Sequence, residues 1–111
     1  MRAKTSEKID SDAGFMLGEI REASALLKAI GNEHRLQVLC LLIEHDEMTV
    51  GGLLEHVSLS QSALSQHLGK MREEGLVAFR RESQTLYYRI ENQDAAKVIA
   101  TLKSIYRPKS G

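Results

Sequence analysis

A chain of 111 residues with 42% hydrophobic residues and a single proline has enough apolar material for one core and too little for two independent domains. Fifteen Lys and Arg balance fifteen Asp and Glu, which argues against a nonspecific polycationic coat for nucleic acid and throws the weight onto local charge. One cysteine excludes an intrachain disulfide. No apolar run approaches the roughly 20 residues that span a bilayer, and the opening MRAKTSEKIDSDAG lacks the apolar centre of a secretory signal, so a cytoplasmic protein without membrane contact is expected.

Residues 1–12 are polar and aperiodic and read as a flexible tail, followed by one domain over 13–108 and a short tail at 109–111. From about residue 14 to 30, Met16, Ile20, Ala23, Leu27 and Ile30 trace a helical stripe that breaks at Gly31-Asn32. Asn32 caps a second helix over 33–44. There Leu36, Val38, Leu39, Cys40, Leu41, Leu42 and Ile43 are apolar nearly all round, the mark of a central core helix. Thr49 caps a short third helix ending near Val57, and Ser58-Leu59-Ser60 turns the chain into a fourth, which stops at Gly75.

On that fourth helix Ser60 is the N-cap, and Leu64, Leu68 and Met71 recur at the i, i+4, i+7 spacing of a buried face. At about 100° per residue, Ser62, Ser65, Gln66 and Gly69 gather on the opposite side with Lys70 at the edge. Short side chains and a glycine let a helix backbone approach a surface, and a glutamine amide both donates to and accepts from a base edge in the major groove. This is the pattern of a recognition helix. Next come two half-buried strands, carrying Val77 and Phe79 and then Leu86, Tyr88 and Ile90, joined by a basic connection from Arg80 to Thr85. Set beside the recognition helix as a wing, the hairpin brings Arg80 and Arg81 near phosphates, where they add affinity but little sequence information. Over residues 60–90, Lys70, Arg72, Arg80, Arg81 and Arg89 outnumber Glu73, Glu74 and Glu82 by two, a modest basic patch consistent with few phosphate contacts per subunit. A last helix starts at Asn92 or Asp94, carries Ala95, Val98, Ile99, Leu102, Ile105 and Tyr106 as one stripe, and ends before Pro108. The three central helices and the wing already close a core, so the spare apolar faces of the two terminal helices are expected to pair across a two-fold axis as a homodimer. The alternative is that they fold back on their own subunit.

Enzymatic and metal readings find no support in the residues. No nucleophile and base, metal set or phosphate loop is evident, and Glu73 and Glu74, as helix neighbours, point about 100° apart. His34, His45, His56 and His67 fall on different elements with no carboxylate or thiolate at ligand spacing, so no metal and no cofactor are expected. His67 is read as packed or solvated, and Tyr87 and Tyr88 as packing on opposite faces of the hairpin. Cys40 sits on the stripe of Leu36, Leu39 and Ile43, where a free cysteine serves as a small hydrophobe. A redox role would need an activated thiolate, and no group on its own helix depresses its pKa.

Three strings, Leu26 to Leu36, Leu59 to Leu68 and Glu74-Gly75-Leu76-Val77, closely resemble the ArsR/SmtB family of dimeric bacterial transcriptional repressors over roughly residues 14–108. The resemblance implies a mainly α fold with a β-hairpin wing (α+β), a winged helix-turn-helix in which the hairpin lies between the fourth and fifth helices. It also implies a homodimer through the terminal helices, an inverted-repeat operator in double-stranded DNA, and derepression by an inducer. On this basis the DNA-binding residues are Gln61, Ser62, Ser65, Gln66, Lys70, Arg80, Arg81 and Gln84. The family's metal motifs are missing: Gly51-Gly52-Leu53-Leu54 stands where a Cys-x-Cys pair would be, and Asp94 has no second ligand after it. Leu39-Cys40-Leu41-Leu42 together with Ile99 to Tyr106 resembles the reactive-sulfur and redox-responsive HlyU/BigR/YgaV/SqrR-like branch, making Cys40 the candidate redox thiol. That branch has a second cysteine after the tyrosine. This chain has Arg107, so a two-thiol bridge cannot close within one subunit. Two other readings stay open: a thiol-independent regulator or antagonist of nucleoid-protein silencing, and a dimeric protein-interaction module without DNA binding.

Overall fold

The computed structural model describes residues 17–107; the expected tails, Met16 and Pro108 lie outside them. Helix α1 covers residues 17–30, followed by α2 (Glu33–His45), α3 (Val50–Leu54), α4 (Gln61–Glu73), β1 (Val77–Glu82), β2 (Thr85–Ile90) and α5 (Gln93–Tyr106). The order is the expected winged helix-turn-helix.

Four side chains start four helices. Asn32 Oδ1 accepts from the backbone N–H of His34 and Arg35, Thr49 Oγ1 from Gly52, Ser60 Oγ from Ala63 and Asn92 Oδ1 from Ala95. The sequence left Asn92 and Asp94 both open; the cap is Asn92. Helix α4 ends in a Schellman motif. Leu76 N–H bonds the Met71 carbonyl at 2.8 Å and Gly75 N–H that of Arg72 at 3.0 Å, with Gly75 at φ 77°, a conformation glycine adopts without a Cβ penalty. The buried Leu76 then enters β1. Helix α3 ends at Leu54, short of the expected Val57, because Glu55 and His56 close the helix with backbone bonds to Gly52 and Leu53.

Helix α2 packs on α5 and β2 and fills the centre with Val38, Leu39 and Leu42. The core is completed by Ile30 of α1, Leu53 of α3, Val57 beyond it, Leu64, Leu68 and Met71 of α4, Leu76, Val77, Tyr88, and Ala95 and Ile99 of α5. The two strands form one antiparallel ribbon in register from Val77↔Ile90 to Glu82↔Thr85. They run further than the sequence suggested, leaving only Ser83-Gln84 as the turn, with Ser83 at φ 58° in the left-handed region. The missing signal was burial: the outer ends of both strands are solvated, so no alternation marks them. Met48 extends the ribbon by one pair, exchanging both backbone hydrogen bonds with Tyr88 at 2.8 and 3.0 Å. Among the described residues no helix is long and apolar enough to cross a membrane.

Gly31 sets the corner between α1 and α2. A Cβ there would lie 2.8 Å from the Leu27 carbonyl oxygen, whereas one at Gly18 meets nothing within 4 Å. Gly31→Ala is therefore expected to destabilise the protein by about 1–3 kcal/mol, while Gly18→Ala stabilises it by up to about 1 kcal/mol through helix propensity, both read by urea unfolding.

Candidate nucleic-acid interface

Burial divides α4 lengthwise. Leu64, Leu68 and Met71 are fully buried, while Gln61, Ser62, Ser65, Gln66 and Lys70 are exposed. Gly69 lies on the outward side, and a Cβ built there would touch nothing within 4 Å, so no packing inside the subunit demands glycine. The low, uncharged ridge is a surface property.

The wing is tied to this helix by aromatic contacts. Phe79 of β1 meets Tyr88 of β2 edge to face at 5.4 Å, and the Arg72 guanidinium of α4 stacks over Phe79 at 5.0 Å. Strand alternation puts Arg81 on the same face of the ribbon as Val77 and Phe79, and Arg80 on the other face opposite Tyr87. The two arginines grouped together in the sequence therefore part company. Arg80 lies over the Tyr87 ring at 4.4 Å and makes a fork with Glu47, Nε to Oε2 at 2.9 Å and Nη2 to Oε1 at 3.0 Å, with Glu82 at 3.4 Å on its remaining side. The Arg80 hydrogen bonds hold the Glu47 carboxyl below the ordinary carboxylate range, and Arg80 in turn is pushed further up. Arg80 is thus not a free cation. Arg81 is exposed and forms no ion pair among the described residues, and Gln84 is exposed at the turn. Sequence reasoning missed Glu47, which is 33 positions from Arg80 and reaches it from the loop before α3.

The histidines also come together in a way their spacing did not indicate. His34 of α2 faces His67 of α4 with ring centroids 6.0 Å apart, and His45 stacks near His56 at 6.3 Å. Among the described residues no three His, Cys, Asp or Glu side chains converge as a metal group. Cys40 is half-buried against the core and borders a groove with Leu36, Ile43, Lys103, Tyr106 and Arg107. Burial raises its pKa above the ordinary 9.0, outweighing Lys103, while Glu44 pushes the same way as burial. The thiol is protonated at neutral pH.

With this geometry in place, comparisons with known proteins decide the family. A model described as "Bacterial regulatory protein, arsR family" matches residues 32–78, from the α2 cap into β1. The transcriptional activator HlyU of Vibrio cholerae is 46% identical over 85 residues, covering 77% of this chain and 78% of that protein. The chain belongs to the ArsR family. The HTH-type transcriptional regulator YgaV of Escherichia coli is 44% identical over 87 residues, covering 78% of this chain and 88% of YgaV. The crystal structure of HlyU from Vibrio vulnificus superimposes with a TM-score of 0.80 at 44% identity, over 86% of this chain and 98% of that one. These relatives are named as transcriptional regulators, not as enzymes, and this ArsR-family chain is a transcriptional regulator with a helix-turn-helix.

His67 gives the α2–α4 contact a pH dependence. Burial, Arg35 and His34 depress its pKa below the ordinary 6.5, so on acidification the unfolded chain takes up this proton first. The stability associated with neutral His67 is complete above pH 6.5 and is lost as pH falls through that value toward the folded one. His67→Gln is expected to flatten the decline of melting temperature between about pH 7 and pH 5. Equal slopes in the two proteins would contradict the assignment.

Proposed function

We propose that this chain is a cytoplasmic, sequence-specific DNA-binding regulator, acting as a repressor that binds an inverted-repeat operator as a homodimer. The observation that carries the reading is the polar, small-residue ridge of α4, held outward by a buried apolar stripe and flanked by a wing on its own side. Gln61, Ser62, Ser65 and Gln66 supply groove and nearby phosphate contacts, with Lys70, Arg81 and Gln84 on the backbone. Arg80 joins them only by exchanging Glu47 for a phosphate. The homodimer is supported by apolar side chains left in water: Leu17, Ile20 and Leu27 of α1 are at least half exposed, as are Ile105 and Tyr106 of α5. The sequence stripe of α5 thus splits, with Ala95 and Ile99 turned into the subunit and the last turn left for a second copy.

Titration of an operator selected from a random pool tests the assignment. Gln66→Ala is expected to cost roughly 1–3 kcal/mol at one base position and to relax preference there. Arg81→Ala weakens all sequences alike and lowers the salt slope by about one, whereas Glu47→Gln, which frees Arg80, tightens binding and raises that slope. Unchanged affinity and preference in Gln66→Ala would sink the groove assignment.

A second reading, a regulator whose response does not pass through a thiol, is favoured by the burial that raises the Cys40 pKa and by Arg107 lining the same groove. If Cys40 is instead the redox thiol, a persulfide donor must release the operator in the parent protein and leave Cys40→Ser unaffected. The raised pKa predicts slow alkylation of Cys40 at neutral pH, with a rate that climbs steadily with pH and has not levelled off at pH 9.0.

A further inference from the structure

One guanidinium ties the start of the subunit to the end of its recognition helix. Arg35, in the first turn of α2, donates from Nη1 to the Ala29 carbonyl in the last turn of α1 at 3.0 Å and to Glu74 Oε1, the C-cap of α4, at 3.3 Å. Its side chain is only 15% exposed, and its Nε is buried without a hydrogen-bond partner. Glu74 carries the one carboxylate paired with it among the described residues. A surface ion pair would be worth little, but a largely buried cation with an orphan N–H depends heavily on its acceptors. The same side chain acts on α4 a second time, since its charge helps to depress the pKa of His67. Gly31 and the Asn32 cap leave only two residues between α1 and α2, so α1 has little freedom other than to pivot about this corner.

We infer that Arg35 is a positioning residue that fixes the angle between α1 and α4, and thereby the half-site spacing the dimer accepts. The inference rests on the DNA-binding dimer proposed above. Where α1 sits against a second copy, its direction sets the two-fold axis, and α4's direction sets the ridge that enters the groove. Holding Ala29 and Glu74 on one nitrogen makes those directions a single rigid relation. Each base pair added at an operator's centre moves one half-site by roughly 3.4 Å and turns it by about a tenth of a turn. A rigid relation penalises that shift and a loose one absorbs it.

The test uses the duplex that the full chain selects from a random pool, with two derivatives carrying one base pair more or fewer at the centre. The parent protein is expected to lose about tenfold or more in affinity on each derivative. Arg35→Gln and Glu74→Gln are expected to remain helical and dimeric by circular dichroism and sedimentation, while the penalty shrinks to about threefold or less. The double variant should behave as either single one, because both remove the same link. Glu74 is partly exposed, so Glu74→Gln carries the test even if Arg35→Gln does not fold. An unchanged spacing penalty in a folded, dimeric Glu74→Gln overturns this inference and leaves the DNA-binding reading intact, as does loss of the dimer in that variant. A parent protein that selects no duplex overturns the DNA-binding reading, and this inference with it.

Discussion

Burial of Leu64, Leu68 and Met71 is the constraint on which the rest of the molecule depends. Each removes an apolar side chain from water, worth about 1.5–3 kcal/mol, and together they allow α4 one rotational setting about its axis. That setting turns Ser62, Ser65 and Gln66 outward whether or not those residues contribute to stability. A helix with so polar a composition would not form stably by itself in water. It is held by the Ser60 cap at one end, the Schellman turn at Gly75 at the other, and the apolar stripe between. The fold supplies the rigidity, and the outward residues are free to be chosen for what they touch.

The wing repeats this separation of support from contact. Phe79, Tyr88 and the Met48 pairing hold the ribbon, and Arg72 of α4, stacked on Phe79, ties it to that helix. Electrostatics at the tip are then more economical than a count of arginines implies. Glu47 and Glu82 occupy Arg80, so the positive charge left facing outward on the ribbon is that of Arg81. On the DNA-binding reading proposed above, a chain with no net charge and a partly neutralised wing draws its selectivity from shape and hydrogen bonding more than from phosphate attraction.

Local signals in the sequence were sufficient for the elements and for the outward ridge. Asn32, Thr49, Ser60 and Asn92 each precede an apolar-periodic run, and each caps a helix through its side chain. Periodicity alone put Leu64, Leu68 and Met71 inside. Contacts made across long stretches of chain were not legible. Glu47 reaches Arg80, Arg35 reaches Glu74, and His34 meets His67 only after the helices have packed. The regular spacing of the histidines gave no hint that they would gather in pairs. The solvated ends of the two strands were missed because no side chain there alternates between core and water. The family resemblance added an expectation that residues alone did not carry, an inverted-repeat operator.

In the dimer proposed above, the terminal helices give the ridge its purpose. One ridge reads too few bases to choose a site, but two at a fixed separation read twice as many and impose a spacing. The proposed pairing would draw on the apolar side chains left exposed on α1 and α5. The most direct test is a hydroxyl-radical footprint of the full chain on duplex DNA enriched from a random pool. Two protected segments, about one helical turn apart and related by inverted symmetry, are predicted. Failure to enrich any sequence, or protection of a single unrepeated segment, would contradict the account.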